Sequence, residues 1–377
     1  MSLPPFESTD HMRILIAGGG TGGHYFPAVA LAEAFMVSDP EGIILFAGTD
    51  NPLEVSTLSG RGFNHVRISA GGLKGQGVRR QVQGLLKLPI GFWQALRTIW
   101  RFKPDITIGV GGYASGPVAL AARLMGRNMV IHEQNYLAGF TNRILGRFAR
   151  HIFISFPDEL GVFTSSKTML TGNPVRQEVL RPASSEGRKD RFTVLVVGGS
   201  QGAHTINCAV MEALKHLELP SRISFVHQAG TKDAPWVTRG YKEHGIRATV
   251  EPFIDDMASA YGASDLVICR AGASTVAELV ALGKPALFIP FPFAANNHQE
   301  LNARYVADRG GGEVILEKDL DGESLARKIR HYESNRDALQ EMSARASVLG
   351  RANAARVMAD ECLRLVERVI SDGKVTG

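Results

Sequence analysis

Short apolar runs recur along this chain, each followed by a longer stretch in which apolar residues return every three or four positions. In the first half, Arg13–Ala17, Ile43–Ala47, His65–Ile68, Ile106–Val110, Met129–His132 and His151–Ile154 read as strands. Phe192–Val197, Ile223–His227, Thr249–Phe253, Leu266–Cys269, Ala286–Pro290 and Glu313–Ile315 repeat the pattern in the second. Strands alternating with helices in this way predict parallel sheets covered on both faces. From Gly322 onward the periodicity is helical, including a helix over Ala354–Val369. Between the halves, Arg181–Asp190 turns polar, with Pro182, Ser184, Ser185 and Gly187, and reads as a linker.

Each half opens on a strand that runs into glycines and then a helix. Gly18-Gly-Gly-Thr-Gly-Gly-His24 follows the first strand, ahead of a helical pattern from Pro27 to Glu33, and Gly198-Gly-Ser-Gln-Gly-Ala203 follows its counterpart. Glycine lets the backbone turn tightly and approach a ligand, and the N–H groups of the following helix then face an anion such as a diphosphate. A third cluster, Gly109-Val-Gly-Gly-Tyr-Ala-Ser-Gly-Pro117, ends at a helix start where proline suits the first turn. The fold class expected is α/β, two Rossmann-like domains facing each other across a cleft.

The composition narrows the function classes. At 377 residues, with 44% hydrophobic and 21% charged residues, the chain has the make-up of globular rather than disordered protein. Cys208, Cys269 and Cys362 are far apart and lack metal-ligand spacing, which reads as a reduced, cytoplasmic setting. No apolar run is long enough to span a bilayer, and the N-terminus lacks a secretion pattern. Charge is uneven: Val55–His132 carries eleven Lys or Arg against a single acid, Asp105, in a chain of net charge +5. Within it, from Leu73 to Arg101, basic residues Arg79, Arg80 and Lys87 interleave with Val82, Leu85, Leu86, Leu88, Ile90, Phe92 and Trp93. An apolar ridge with a basic collar predicts docking on an anionic membrane surface; a core helix with a basic face is the plainer reading. No nucleic-acid recognition module is visible, so nucleic acid is not an expected partner.

Gly18-x-Gly20-x-x-Gly23 matches the dinucleotide fingerprint only formally. The second strand ends in Gly48 and Thr49, with Asp50 a late candidate for the ribose-holding acid. In the second half, Arg270-Ala-Gly-Ala-Ser-Thr-Val-Ala-Glu278 joins a strand to a helix whose N-terminus suits a phosphate. Glu278 is expected in the first turn, either complementing the helix dipole or accepting from the two hydroxyls of a ribose. Pro290–Gln299 reads as a polar loop whose amide and imidazole groups suit sugar hydroxyls.

Seven motifs in order carry a family resemblance from about Met12 to Met358. They are Gly18–His24, Gly111–Pro117, His132-Glu-Gln-Asn135, Gly172-Asn-Pro-Val-Arg176, Gly198–Ala203, Phe253-Ile-Asp-Asp-Met257, and Arg270–Glu278 followed by His298-Gln299. Together they closely resemble the bacterial peptidoglycan N-acetylglucosaminyltransferases of the two-domain GT-B class. The resemblance implies an inverting enzyme that moves GlcNAc from UDP-GlcNAc to the C4 hydroxyl of the muramoyl sugar of lipid I, making lipid II. It implies no cofactor and no metal, and a peripheral position on the cytoplasmic membrane face. It also implies an acceptor and membrane-facing domain over 12–176, rejoined by a C-terminal helix of about 354–377, and a UDP-sugar donor domain over 177–353.

Carried over by position, Thr21, Gly22, Gly23 and Asn135 belong to the UDP-GlcNAc donor site. Arg176 and Ser200 hold the diphosphate, the Ile254 backbone the uracil, and Gln299 the sugar hydroxyls. Ala273, Ser274, Thr275, Val276, Ala277 and Glu278 hold phosphate and ribose. Inversion needs one base, and His24 has a side chain of suitable pKa, with a structural role in its glycine loop as the alternative. Glu133 is the second candidate, as base or acceptor ligand. The rival readings are another GT-B member, such as a lipid galactosyltransferase or a UDP-GlcNAc 2-epimerase, and a non-catalytic nucleotide-sugar binding module.

Overall fold

A computed structural model describes residues 11–19, 22–50, 52–70, 78–181, 191–217 and 222–375. Thr21, the segment 73–77 and most of the expected linker (182–190) lie outside the described residues, as do the side chains of 78–87. The chain forms two units, one running through Arg176 and resuming at Asn353, the other spanning Gln177–Ala352.

The first unit contains β1 (Arg13–Ala17), α1 (Gly22–Ser38), β2 (Ile43–Gly48), α2 (Pro52–Gly60), β3 (Asn64–Arg67) and α3 (Val78–Phe102). There follow β4 (Ile106–Gly109), α4 (Ser115–Leu124), β5 (Asn128–Glu133), α5 (Phe140–Leu145), β6 (Ile152–Ile154) and β7 (Thr168–Leu170). The sheet is parallel throughout, in the order β3-β2-β1-β4-β5-β6-β7. Strand β7 is an addition to the expected set. Its three residues are only half-buried and too few to show a period.

The second unit opens with α6 (Gln177–Leu180), β8 (Phe192–Val197), α7 (His204–Leu214), β9 (Ile223–Gln228), α8 (Ala234–Glu243) and β10 (Ala248–Glu251). It continues through α9 (Met257–Ala263), β11 (Leu266–Cys269), α10 (Ala273–Leu282), β12 (Ala286–Phe288), α11 (His298–Ala307) and β13 (Glu313–Val314). Helices α12 (Gly322–Ser334) and α13 (Arg336–Leu349) close it, and α14 (Ala354–Val375) returns to the first unit. Its parallel sheet has the order β10-β9-β8-β11-β12-β13, the doubly wound 3-2-1-4-5-6 pattern.

The period of two explains the layering. Ile14 and Ile16 of β1 pack with Leu31 and Phe35 of α1 and with Met358 and Cys362 of α14. Leu15 and Ala17 face the other way, onto Ala95 and Ile99 of α3 and Val118 of α4. Both units also share one clip at the start of their first and fourth strands. Asp105 accepts from Arg13 N at 2.8 Å and returns its own N–H to Arg13 O at 2.9 Å. Asp265 does the same for Thr193, at 2.7 and 2.8 Å.

The clip predicts a stability effect. Asp105→Ala removes a charged acceptor from the first backbone N–H of β1 and should cost about 1–3 kcal/mol. Urea unfolding should show a lower midpoint at an unchanged m-value, whereas an unmoved midpoint would mean the clip contributes nothing.

Candidate active site

In each sheet the strand order reverses between the first and fourth strands, where successive helices leave to opposite faces. The crevice at the C-terminal ends of those strands is where open α/β sheets bind ligands. In the first unit this edge belongs to the loops after β1 and β4. They meet backbone to backbone: a Cβ on Gly112, whose φ is +78°, would lie 2.0 Å from the Gly19 carbonyl oxygen. Only glycine fits there.

Helix α1 starts at Gly22, earlier than the expected start at Pro27, so Gly22, Gly23 and His24 lie in its first turn rather than in a loop. Pro27 lies in the second turn of α1, where it lacks the N–H that would otherwise bond the Gly23 carbonyl. The half-buried His24 ring places Nδ1 3.1 Å from Val110 O and 3.1 Å from Gln134 Oε1. Gly111, with φ +85°, leaves the ring its space, since a Cβ there would come within 2.8 Å of Nδ1 and Cε1.

At the end of β5, His132 is fully buried and bonds Ser155 Oγ through Nε2 at 3.1 Å. Burial pushes its pKa down to about 3, outweighing a bond to the Gly172 carbonyl, so the ring is neutral. Glu133 is buried too, and both its oxygens serve the chain that follows. Oε1 accepts from Asn135 N at 3.0 Å; Oε2 accepts from Gly139 N at 3.0 Å and Asn142 Nδ2 at 2.8 Å. These bonds make Glu133 the anchor of the 135–139 loop and of α5, and hold Asn135 in place. Arg176 stacks its guanidinium 4.6 Å from the centroid of Phe26. Asp50, the late ribose candidate of a dinucleotide site, pairs with Arg67 at 2.6 Å instead.

The second unit repeats the glycine packing. A Cβ on Gly202 would lie 2.2 Å from Ala229 O, and one on Gly230 2.2 Å from Gln201 O. Ser200 is exposed in this loop. Gln228, at the end of β9, ties the loop to the segment after β10. Its Nε2 donates to Gly199 O at 2.7 Å, and its Oε1 accepts from Ile254 N at 2.9 Å. The Ile254 N–H is therefore engaged by a side-chain amide.

Ala273, Ser274 and Thr275 form the first turn of α10 behind Gly272, and the first helical bond runs from Val276 N to Gly272 O at 2.9 Å. The N-terminus of a ten-residue helix thus follows the end of β11 with three residues between them. Val276 turns its side chain into the core and Ala277 is half-buried. Glu278 lies in the second turn, not the first, so the helix-end explanation for it fails. It is buried and accepts from Tyr261 OH of α9 at 2.9 Å. Gln299 is on α11 rather than in a loop, because consecutive left-handed residues Asn296 and Asn297 turn the chain into that helix. Its Oε1 accepts from Phe291 N at 3.0 Å.

The expected residues thus gather at the C-terminal edges of the two sheets: Gly22, Gly23, His24, Glu133 and Asn135 in one, and Ser200, Ile254 and Ala273–Glu278 in the other. Gln134, Gln228 and Tyr261 were not expected. Each acts on a group distant in sequence, and no local pattern marks such a partner.

Comparison with known proteins places this geometry. The glycosyltransferase family 28 N-terminal domain matches residues 14–154 and the family's C-terminal domain residues 193–361. A protein of Citrifermentans bemidjiense is 45% identical over 350 residues, 92% of this chain and 98% of its own length. The chain belongs to glycosyltransferase family 28. That relative is a UDP-N-acetylglucosamine--N-acetylmuramyl-(pentapeptide) pyrophosphoryl-undecaprenol N-acetylglucosamine transferase, as is one of Syntrophus aciditrophicus, also 45% identical over 94% of this chain and 99% of its own. Among solved structures, Acinetobacter baumannii MurG is 32% identical with a TM-score of 0.75, over 94% of this chain and 99% of that one. The two Rossmann-like units are those of the GT-B fold. A putative UDP-N-acetylglucosamine 2-epimerase of Listeria monocytogenes, 13% identical at a TM-score of 0.65, shares the fold alone.

Two buried neutral histidines, His132 and His227, predict acid sensitivity for this family 28 protein. His227 in the second unit, like His132, has its pKa pushed down to about 3 by burial. A folded-state value below the unfolded 6.5 gives stability that is present above pH 6.5 and lost as pH falls toward 3. Each should cost about 2 kcal/mol between pH 7 and pH 5. Urea unfolding of wild type and His227→Gln at both pH values should show a smaller loss in the variant; parallel losses would contradict the burial account.

Proposed function

We propose that the protein transfers N-acetylglucosamine from UDP-GlcNAc to the C4 hydroxyl of the muramoyl sugar of lipid I, with inversion at C1, forming lipid II. The observation that carries this reading is the pairing of full-length relatives of that named activity with two glycine-lined switch points. In this reading the second unit takes the donor. The α10 N-terminus and the Ser200 loop, with Arg176, neutralise the diphosphate, and the departing UDP leaves with the electron pair of the broken C1–O bond. The Glu278 carboxylate accepts from the ribose hydroxyls, the Ile254 carbonyl from uracil N3–H, and the Gln299 amide meets the sugar. The first unit takes the acceptor, and His24 receives the C4 hydroxyl proton as the new C4–O–C1 bond forms. Glu133 acts through Asn135 and its loop rather than as the base.

We further propose that the first unit docks on the cytoplasmic face of an anionic membrane through the α3–α4–α5 side. Among the described residues no helix is long and apolar enough to cross a membrane. The inner side of α3 is core, with Ala95, Ile99 and Phe102 fully buried. Its outer side exposes Trp93 (60%) and Trp100 (66%), while α4 exposes Leu124 (67%) and α5 Phe140 (65%). Exposed Arg97, Arg101, Arg123, Arg143 and Arg147 lie among these apolar residues. Between residues 78 and 150 the only acids are Asp105 and Glu133, both already bonded to backbone N–H groups. Cations beside exposed indoles favour an anionic lipid surface.

Two experiments test these readings. With UDP-GlcNAc and a short-chain lipid I analogue, UDP should be released only when acceptor is present; release without acceptor would favour an epimerase or hydrolase. Glu278→Ala should weaken UDP-GlcNAc about 10–100-fold by calorimetry, the equivalent of a charged hydrogen bond of about 1.5–3 kcal/mol, and unchanged affinity would remove Glu278 from the donor site.

For the membrane, the triple change Arg97→Gln, Arg123→Gln and Arg147→Gln should reduce binding to vesicles containing phosphatidylglycerol by about two powers of ten. Transfer to a water-soluble acceptor should be spared, and wild-type binding should weaken with salt. Unchanged vesicle binding would sink this face as the docking surface.

A further inference from the structure

The hydrogen bonds around His24 have directions that chemistry fixes. Val110 O lies against both Gln134 Nε2 and His24 Nδ1, and a carbonyl oxygen can only accept. Gln134 must therefore turn its NH₂ group to Val110 and its Oε1 elsewhere, and Oε1 lies 3.1 Å from His24 Nδ1. Nδ1 thus faces two acceptors, Val110 O and Gln134 Oε1, and carries a proton between them. The other end of the amide points the same way. Gln134 Nε2 lies 3.3 Å from His132 Nδ1, which accepts, while His132 Nε2 bears the proton toward Ser155 Oγ. His132 is fully buried with its pKa near 3, so it does not reverse the chain by charging.

We propose that Gln134 is a positioning residue that holds His24 in the tautomer with its proton on Nδ1, making Nε2 the basic nitrogen. This rests on the reading of His24 as the base that takes the acceptor proton. A neutral imidazole in the other tautomer presents a lone pair at Nδ1, where the Val110 carbonyl and the Gln134 oxygen would repel it. The amide therefore selects which nitrogen can receive a proton and fixes the ring plane. Gly111 completes the device by leaving the ring room at Nδ1 and Cε1.

The test uses the full chain with ¹⁵N-labelled histidine. In wild type at neutral pH, the His24 signal, assigned with His24→Gln, should show Nδ1 protonated and Nε2 unprotonated. Gln134→Leu should mix the tautomers or mobilise the ring and lower kcat about tenfold, with UDP affinity unchanged. Gln134→Glu should instead place a carboxylate at Nδ1–H, raise the His24 pKa and move the acid limb of the kcat/KM profile upward by about one pH unit. A loss that was merely structural would lower activity without moving that limb.

An Nε2-protonated tautomer in wild type overturns the proposal. So does an unchanged pH profile together with unchanged kcat in both variants. Near-normal turnover of His24→Gln overturns the base reading, and with it the catalytic consequence, even where the tautomer is as expected; the spectrum and the turnover thus separate the two failures.

Discussion

The structure depends on a close approach of backbone to backbone at the edge of each parallel sheet. Where two neighbouring strands send their helices to opposite faces, the loops that follow them converge, and their carbonyls and N–H groups line the resulting crevice. In the first unit Gly112 and Gly19 are so close that no Cβ fits; in the second, Gly202 and Gly230 stand in the same relation to Ala229 and Gln201. Any side chain at these positions would force the loops apart. The glycines therefore define the site by excluding atoms.

On this shared frame the units hold different chemistry. The first holds titratable groups, a half-buried His24 and a buried Glu133, each oriented by amides and backbone N–H groups. The second offers a helix N-terminus at Ala273 and a series of amide-to-backbone bonds through Gln228. An acid–base group in one unit and fixed dipoles in the other suit the proposed transfer, in which a proton is taken from one partner and a diphosphate leaves the other. The carboxylates at both sites are engaged: Glu133 steadies a loop, and Glu278 joins α10 to α9 through Tyr261.

Much of the fold was legible because buried parallel strands are short apolar runs. Phe192–Val197 and Leu266–Cys269 appear with the expected ends. Strand β7 was not, because Thr168–Leu170 is brief and only half-buried. Helix starts were harder to read. Glycines at Gly22 and Gly23 look like loop but join α1, which carries His24 onto a helix, and the start of α10 at Ala273 puts Glu278 a turn deeper than expected. The residues of the candidate site were named in the sequence from motifs. What holds it was not: Gln134 reaches across to His24, Gln228 to Ile254 and Tyr261 to Glu278, and such pairings exist only after the sheets have formed.

In the proposed reaction the second unit's crevice takes the nucleotide and the first unit's takes the acceptor. Amide hydrogen exchange of the whole protein with and without saturating UDP tests it most directly, since backbone groups that contact a ligand slow in place. Exchange should slow at 199–203, 253–254 and 273–278, with 111–112 unchanged. Protection confined to 111–112, or no change in the second unit at saturation, would contradict it.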